Sequence, residues 1–365
     1  MQQSGRCVKA HGVVWPAAGQ AALEEFEVAD PGPGELLLRA EYSLISPGTE
    51  RAFFLGLPNT AQTYPQRPGY AFIGTVAAAG PGVDFQRGER VMAPAPHATH
   101  SVVNASTVVP VPPDVDPESA AFLGLGLVAM MGMRRGRIEL GEAVAVLGQG
   151  VVGLLAAQLA KLQGGMPVIG LDFADSRLAV SRACGVDITI NAEDREGASG
   201  LFAALPGRGA AVVIEASGEP EAIPRALQLT ARFGRMVALG STRDVSTVNF
   251  YEEVHRKGAV ILGAHASTRP RESRAGSWNK EDDVRVFWEL VRRDRLKLEP
   301  IITHRLAGQE APGAYQLLKA WDPGLLGVIL RWRESAPWNG LVHLEPPAPG
   351  RGGQWPPMGR TSPAA

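Results

Sequence analysis

The sequence predicts an α/β chain: a β-rich, barrel-like N-terminal part followed by a doubly wound parallel sheet. Three observations carry this. An apolar run over 143–147 stops at Gly148, and Gly150 and Gly153 complete a G-x-G-x-x-G spacing before a helix-period run over 151–162. Six short apolar segments between 143 and 263 alternate with helical ones, the pattern of a parallel sheet with helices on both faces. Residues 1–124 show instead many short β-type runs cut by Gly/Pro turns, which suggests a compact β-barrel.

In chain order, β-type runs are expected at 8–10, 13–15, 35–40, 72–78, 90–93 and 102–104. Turn signals separate them: Asp-Pro-Gly-Pro-Gly over 30–34, Gly-Pro-Gly over 80–82 and Val-Pro-Pro-Asp over 111–114. From about 125 the texture changes to strands at 143–147, 168–171, 188–190, 211–215, 235–239 and 259–263. Helices fall between them at 151–162, 176–183, 198–204 and 220–230. Beyond 266 the alternation stops. A polar loop over 268–279 precedes a helix over 282–293, with Val284, Phe287, Trp288 and Val291 on one side. A second helix over 311–320 and a closing strand over 327–332 follow. Residues 335–365 are rich in Pro and Gly with sparse apolar content, and are expected to be a disordered tail.

Each glycine of the loop has a mechanical task. Gly148 allows a tight turn, Gly150 lets a pyrophosphate approach the backbone, and Gly153 lets helix pack closely on strand. The helix then aims the free N–H groups of its first residues, Val151 and Val152, at the phosphates. An ordinary strand–helix turn explains the glycines. It does not explain Asp172 at the end of the next strand, where an acid accepts hydrogen bonds from ribose hydroxyls. Asp172 favours NAD over NADP because it repels a 2′-phosphate; Arg177, five residues on, weighs the other way. Ala216, Ser217, Gly240 and Ser241 follow the C-terminal ends of strands and are expected to line the nicotinamide half of the cleft.

Composition narrows the function classes. A net charge of −1 without a long basic run disfavours nucleic acid as partner. No stretch of about 18 apolar residues exists to span a membrane. Two cysteines, Cys7 and Cys184, make neither a disulfide framework nor a Cys-rich zinc site. With no signal-peptide pattern at the N-terminus, a cytoplasmic protein with a small-molecule substrate is expected.

The order of parts resembles the medium-chain dehydrogenase/reductase superfamily. The resemblance spans roughly 8–333 and rests on Ser43-Leu-Ile-Ser-Pro-Gly-Thr-Glu50, Pro68-Gly-Tyr-Ala-Phe-Ile-Gly-Thr-Val76, Gly88-Glu-Arg-Val91 and the glycine fingerprint with Asp172. The first of these is similar to the branch containing bacteriochlorophyllide dehydrogenase. The resemblance implies a GroES-like catalytic domain over 1–124, a Rossmann domain over 125–265 and a return segment over 266–334 that completes the catalytic domain. It also implies a homodimer or homotetramer.

Departures from the family matter as much as agreements. Zinc members carry a Cys before the G-T-D segment and a His-Glu pair after the next Gly. Here Ser46 and Pro47 occupy the first neighbourhood, and Tyr70 and Ala71 follow Gly69. No three- or four-ligand set survives, so no zinc is expected. A proton donor must then come from side chains, and the resemblance implies Thr49, Tyr70 and His97 as the catalytic set. Each has a plainer alternative: Thr49 ties its turn, Tyr70 packs, His97 is a satisfied loop histidine. Glu50 resembles the family's structural acid, paired with a basic residue. His265, just past the last strand of the sheet, is expected to face the cleft and bind substrate hydroxyls, or else to be an exposed loop residue. The activity implied is hydride transfer between a secondary alcohol, polyol-like in one reading, and a ketone. A zinc-less enoyl or quinone reductase and a non-catalytic NAD-binding protein are the alternatives.

Overall fold

The computed structural model describes residues 7–332. Six parallel strands lie in the spatial order Ile188–Asn191, Val168–Asp172, Val144–Leu147, Ala210–Glu215, Thr230–Ala238 and Val260–Gly263. In chain order this is 3-2-1-4-5-6, which places the reversal of winding between Val144–Leu147 and Ala210–Glu215. Ligands of such sheets bind in the crevice outside the C-terminal strand ends at this point. The two strands flanking the fingerprint are buried throughout, which is why they read as unbroken apolar runs.

The second layer is a mixed, seven-stranded sheet. Its path runs Ile302–Ala307, Gly327–Arg331, Glu35–Ile45, Phe72–Ala79, Arg90–Ala93, Val109–Pro110, with His100–Asn104 added beside Glu35–Ile45. The return segment therefore joins the N-terminal part directly: Gly327–Arg331 pairs antiparallel with residues 42–45. A separate hairpin, Cys7–Ala17 with Gln20–Ala29, packs alongside.

One core runs through both sheets. Leu44, Ile73 and Met92 of the mixed sheet share it with Leu123, Leu127 and Met130, with Val144 and Val146 of the parallel sheet, and with Val151 of the helix that follows.

Several elements were not legible as such. Pro47–Phe54 is a helix, although Ser-Pro-Gly reads as a turn; Pro is tolerated at the first helical position. Leu123–Gly136 is a helix despite its glycines. Gln20–Ala29 and Ile302–Ala307 are strands, and Tyr251–His255 is a single π-helical turn. The expected tail over 335–365 lies outside the described residues. Among the described residues, no helix is long and apolar enough to cross a membrane.

Candidate active site

The fingerprint has the geometry its glycines predict. Gly148 sits at φ +87°, a conformation that side chains disfavour, and its N–H bonds the Leu171 carbonyl at 2.8 Å. A methyl group at Gly153 would collide with the Gly148 carbonyl oxygen, so the helix lies hard against the turn. Gly150 caps the helix Val151–Leu162 in extended conformation, and a methyl there would meet nothing within 4 Å. The open space at Gly150 and the free amides of Val151 and Val152 fit a pyrophosphate. Asp172 belongs to the same unit. It is buried, and its carboxylate accepts from the Gln149 amide at 2.7 Å and the Ala174 amide at 3.0 Å, with Arg177 at 3.8 Å.

Across the crevice, Glu215 ends the strand Ala210–Glu215 as a fully buried carboxylate. It accepts from the Ser217 amide at 2.7 Å, the Gly218 amide at 3.1 Å and the Ser217 hydroxyl. Burial pushes its pKa up to about 7 against these bonds, with the charge of Glu219 adding to the rise. Its main-chain carbonyl accepts the Gly240 N–H at 2.7 Å. A methyl at Gly240 would stand 2.5 Å from the Gly218 nitrogen. The segments carrying Ala216–Ser217 and Gly240–Ser241 are thus held side by side at the strand ends. Sequence reasoning passed over Glu215, although an acid closing an apolar strand is the same signal that singled out Asp172.

Three of the polar residues singled out near 46–70 do come together. Tyr70 is half-buried, and the hydroxyls of Ser46 and Thr49 hydrogen-bond its phenol oxygen. Burial and the nearby charge of Glu50 push its pKa up to about 12, while those two bonds and Arg243 act the other way. Arg243 comes from the segment just past Gly240–Ser241 and also reaches the Asn59 carbonyl at 3.4 Å. The Asn59 amide in turn donates to the Thr242 carbonyl at 3.2 Å, which ties the two layers together beside Tyr70. Sequence reasoning missed Arg243; its signal was a basic residue three positions after the strand-end glycine Gly240.

His97 requires a correction. Expected as the relay that finishes the proton path, it is wholly buried with both ring nitrogens engaged. Nδ1 lies 2.7 Å from the Ser43 hydroxyl and Nε2 3.0 Å from the Glu50 carboxylate. Trp332 Nε1 donates to Ser43 at 2.9 Å, and the Tyr315 hydroxyl donates to Glu50. Because an indole N–H only donates, the Ser43 hydroxyl can turn its own proton to Nδ1, leaving Nε2–H for Glu50. His97 is therefore a partner of the structural acid, enclosed by the return segment rather than facing the crevice. His265 is exposed, one of the two expected readings, and its Nδ1 is 3.2 Å from the Ser267 amide and 2.7 Å from the Ser267 hydroxyl, capping a short 3-10 turn.

The donor set around Tyr70 does not fit zinc. Hydroxyls, a phenol and a lone carboxylate already shared by His97 and Tyr315 are not its ligands. Among the described residues, no group of three or more His, Cys, Asp or Glu side chains could hold a metal ion.

A glycine-rich strand–turn–helix opening onto a crevice beside a mixed sheet defines a dinucleotide-dependent oxidoreductase fold. Residues 151–280 match the family described as zinc-binding dehydrogenase. That match and the dehydrogenase relatives below, which align over most of the chain, support the medium-chain dehydrogenase/reductase superfamily. The matched segment lies outside the 46–71 region where zinc members would hold their metal. The chain is 28% identical over 325 residues to 2-desacetyl-2-hydroxyethyl bacteriochlorophyllide A dehydrogenase of Rhodobacter capsulatus, covering 84% of this chain and 93% of that one. It is 26% identical over 356 residues to L-threonine 3-dehydrogenase of Pyrococcus horikoshii, covering 85% and 95%. A solved Escherichia coli CFT073 structure, titled a short chain alcohol dehydrogenase complexed with NADH, superposes with a TM-score of 0.75 at 22% identity, covering 88% and 99%.

Proposed function

We propose that this chain interconverts a secondary alcohol and a ketone with NAD and without zinc, and that Tyr70 faces the substrate oxygen. One observation carries the reading. Where zinc members hold metal ligands, this chain sets a phenol against two hydroxyls, with the charge of an arginine nearby. The names of its relatives, both dehydrogenases of hydroxyl-bearing compounds, support the alcohol.

Bound NAD supplies the hydride chemistry. The residues supply the rest. Gly148, Gly150, Val151, Val152 and Gly153 hold the pyrophosphate, and Asp172 takes the ribose. Ala216, Ser217, Gly240 and Ser241, steadied by Glu215, shape the far end of the crevice. Tyr70, with its pKa at about 12, keeps its proton at neutral pH and donates it toward the negative charge that grows on a carbonyl oxygen. Ser46 and Thr49 then stabilise the phenolate by donating to it. A dimer built on the exposed edge strand Val260–Gly263 and a cytoplasmic setting, suited to two unpaired cysteines, complete the proposal.

The test is a panel of secondary alcohols, ketones and enones followed by the absorbance of NADH. Tyr70→Phe should lower ketone turnover about 10²–10⁴-fold, the range of general acid catalysis, with NADH affinity unchanged. Turnover of enones that resists the substitution would overturn the alcohol reading. Tight NADH binding with no turnover on any member of the panel would overturn the enzymatic one.

A further inference from the structure

The helix Lys280–Arg292 packs tightly by one side. Its Phe287 ring lies against Gly126 of the helix Leu123–Gly136, and its buried Asp283 accepts from Arg134 at 3.1 Å. Another side faces the strand Val109–Pro110, which ends the path of the mixed sheet. Between the two lies a cavity of about 420 Å³ that shares no residue with the crevice. Ligand pockets fall in the range of roughly 300–1,000 Å³.

The helical period builds the cavity wall in two stripes. Val284 and Trp288, four residues apart, form an apolar stripe that faces Val108 and Val109. Beside it, at the same spacing, run Glu281, Arg285 and Glu289, with Lys280 and Arg292 at the ends. Trp288 and Val108 are buried, whereas Lys280, Glu281 and Arg285 are exposed, so the cavity has an apolar floor and a charged rim. Part of that rim is already engaged. Arg292 donates to Asp114 at 2.8 Å, and Glu289 accepts from Arg293 at 3.1 Å. Among the described residues, no carboxylate comes within ion-pair distance of Lys280 or Arg285; Arg285 has the longer-range charge of Asp282. The polar groups open to an occupant are then mostly donors: an ammonium, a guanidinium and the indole N–H of Trp288, which can only donate. Glu281 is the one opposing charge.

A molecule suited to this space lays an apolar body on Val284 and Trp288 and turns an anionic acceptor toward Arg285 and Lys280. A carboxylate matches the two-pronged donor of a guanidinium. We infer that the cavity binds a small organic acid, a carboxylate carried on an apolar body, at a site separate from the coenzyme crevice.

The test is calorimetric titration of the full chain with octanoate, with and without NADH present. One octanoate per chain should bind, equally in both conditions. Octan-1-ol keeps the body without the charge and acetate keeps the charge without the body; each should bind at least about tenfold more weakly. Arg285→Glu should weaken octanoate at least about tenfold, and Glu281→Gln should tighten it, by removing the opposing charge. Both side chains are exposed, so the melting temperature and NADH affinity should stay as they are. Absence of saturable octanoate binding, acetate binding as tightly, or an affinity unmoved by Arg285→Glu overturns the inference. Competition between octanoate and NADH places the acid in the crevice and overturns it as well.

Discussion

A single buried carboxylate gives the crevice a pH response. Glu215 has no solvent contact, and its bonds to Ser217 and Gly218 do not fully offset the cost of burying its charge, so its pKa stands at about 7 instead of the carboxylate value of 4.5. Between those two values the folded protein holds a proton that the unfolded chain has released. The associated stability is full below the unfolded pKa and is lost as pH rises through about 7. Its size is at most about 3 kcal/mol by the conversion of a pKa difference into free energy. Glu215→Gln keeps an oxygen for the Ser217 amide and removes the titration. Melting curves of the two proteins should therefore converge near pH 4.5 and separate on going to pH 8, with the variant the more stable at the upper end. Parallel curves across that range would mean that Glu215 is ionised throughout. Tyr70 shows the opposite use of burial: the same desolvation that makes Glu215 titrate near neutrality keeps the phenol protonated there.

At the scale of elements, legibility follows from where a residue's role is decided. The fingerprint is decided locally: Gly148, Gly150 and Gly153 do their work within one turn, and both strand and helix beside them are apolar without interruption. Asp172 was legible for the same reason. The helix Leu123–Gly136 was not, because four glycines lower its intrinsic propensity and only tertiary contacts explain them. A methyl at Gly126 would collide with the Phe287 ring, and one at Gly132 would stand 3.0 Å from the Leu239 side chain. These glycines let the helix approach both the helix Lys280–Arg292 and the parallel sheet. Gly126→Ala should accordingly destabilise the protein by about 1–3 kcal/mol, the range for overpacking, although alanine is the better helix former. Thermal or urea unfolding reads this directly, and an unchanged or raised midpoint would mean that the ring simply moves aside. The His97 misreading has the same origin. Its partners Ser43, Glu50, Tyr315 and Trp332 span nearly 290 residues of chain, and no local pattern announces such a meeting.

Among the described residues, one edge of the parallel sheet is both apolar and exposed. Val260–Gly263 is the last strand of the parallel sheet, paired on one side only, and Val260 and Ile261 remain 47% and 40% exposed. Phe233 and Tyr251, from the neighbouring strand and the preceding π-turn, are 74% and 62% exposed. A bare apolar edge strand is a template for another strand, and proteins usually blunt such an edge with charge, proline or a covering element. The strand itself has none of these: its sequence is Val-Ile-Leu-Gly. A second copy satisfies it most simply, because two identical edges meeting across a two-fold axis pair antiparallel and leave no open template behind. Substituting Ile261 by lysine places a charge beside its own symmetry mate and should convert the proposed dimer to a monomer, read by light scattering on a sizing column. The crevice is formed within one chain, so NADH affinity should survive the change. An assembly that keeps its mass after Ile261→Lys would place the contact elsewhere on the surface, and a parent protein that runs as a monomer would leave this edge blunted by some means other than self-pairing.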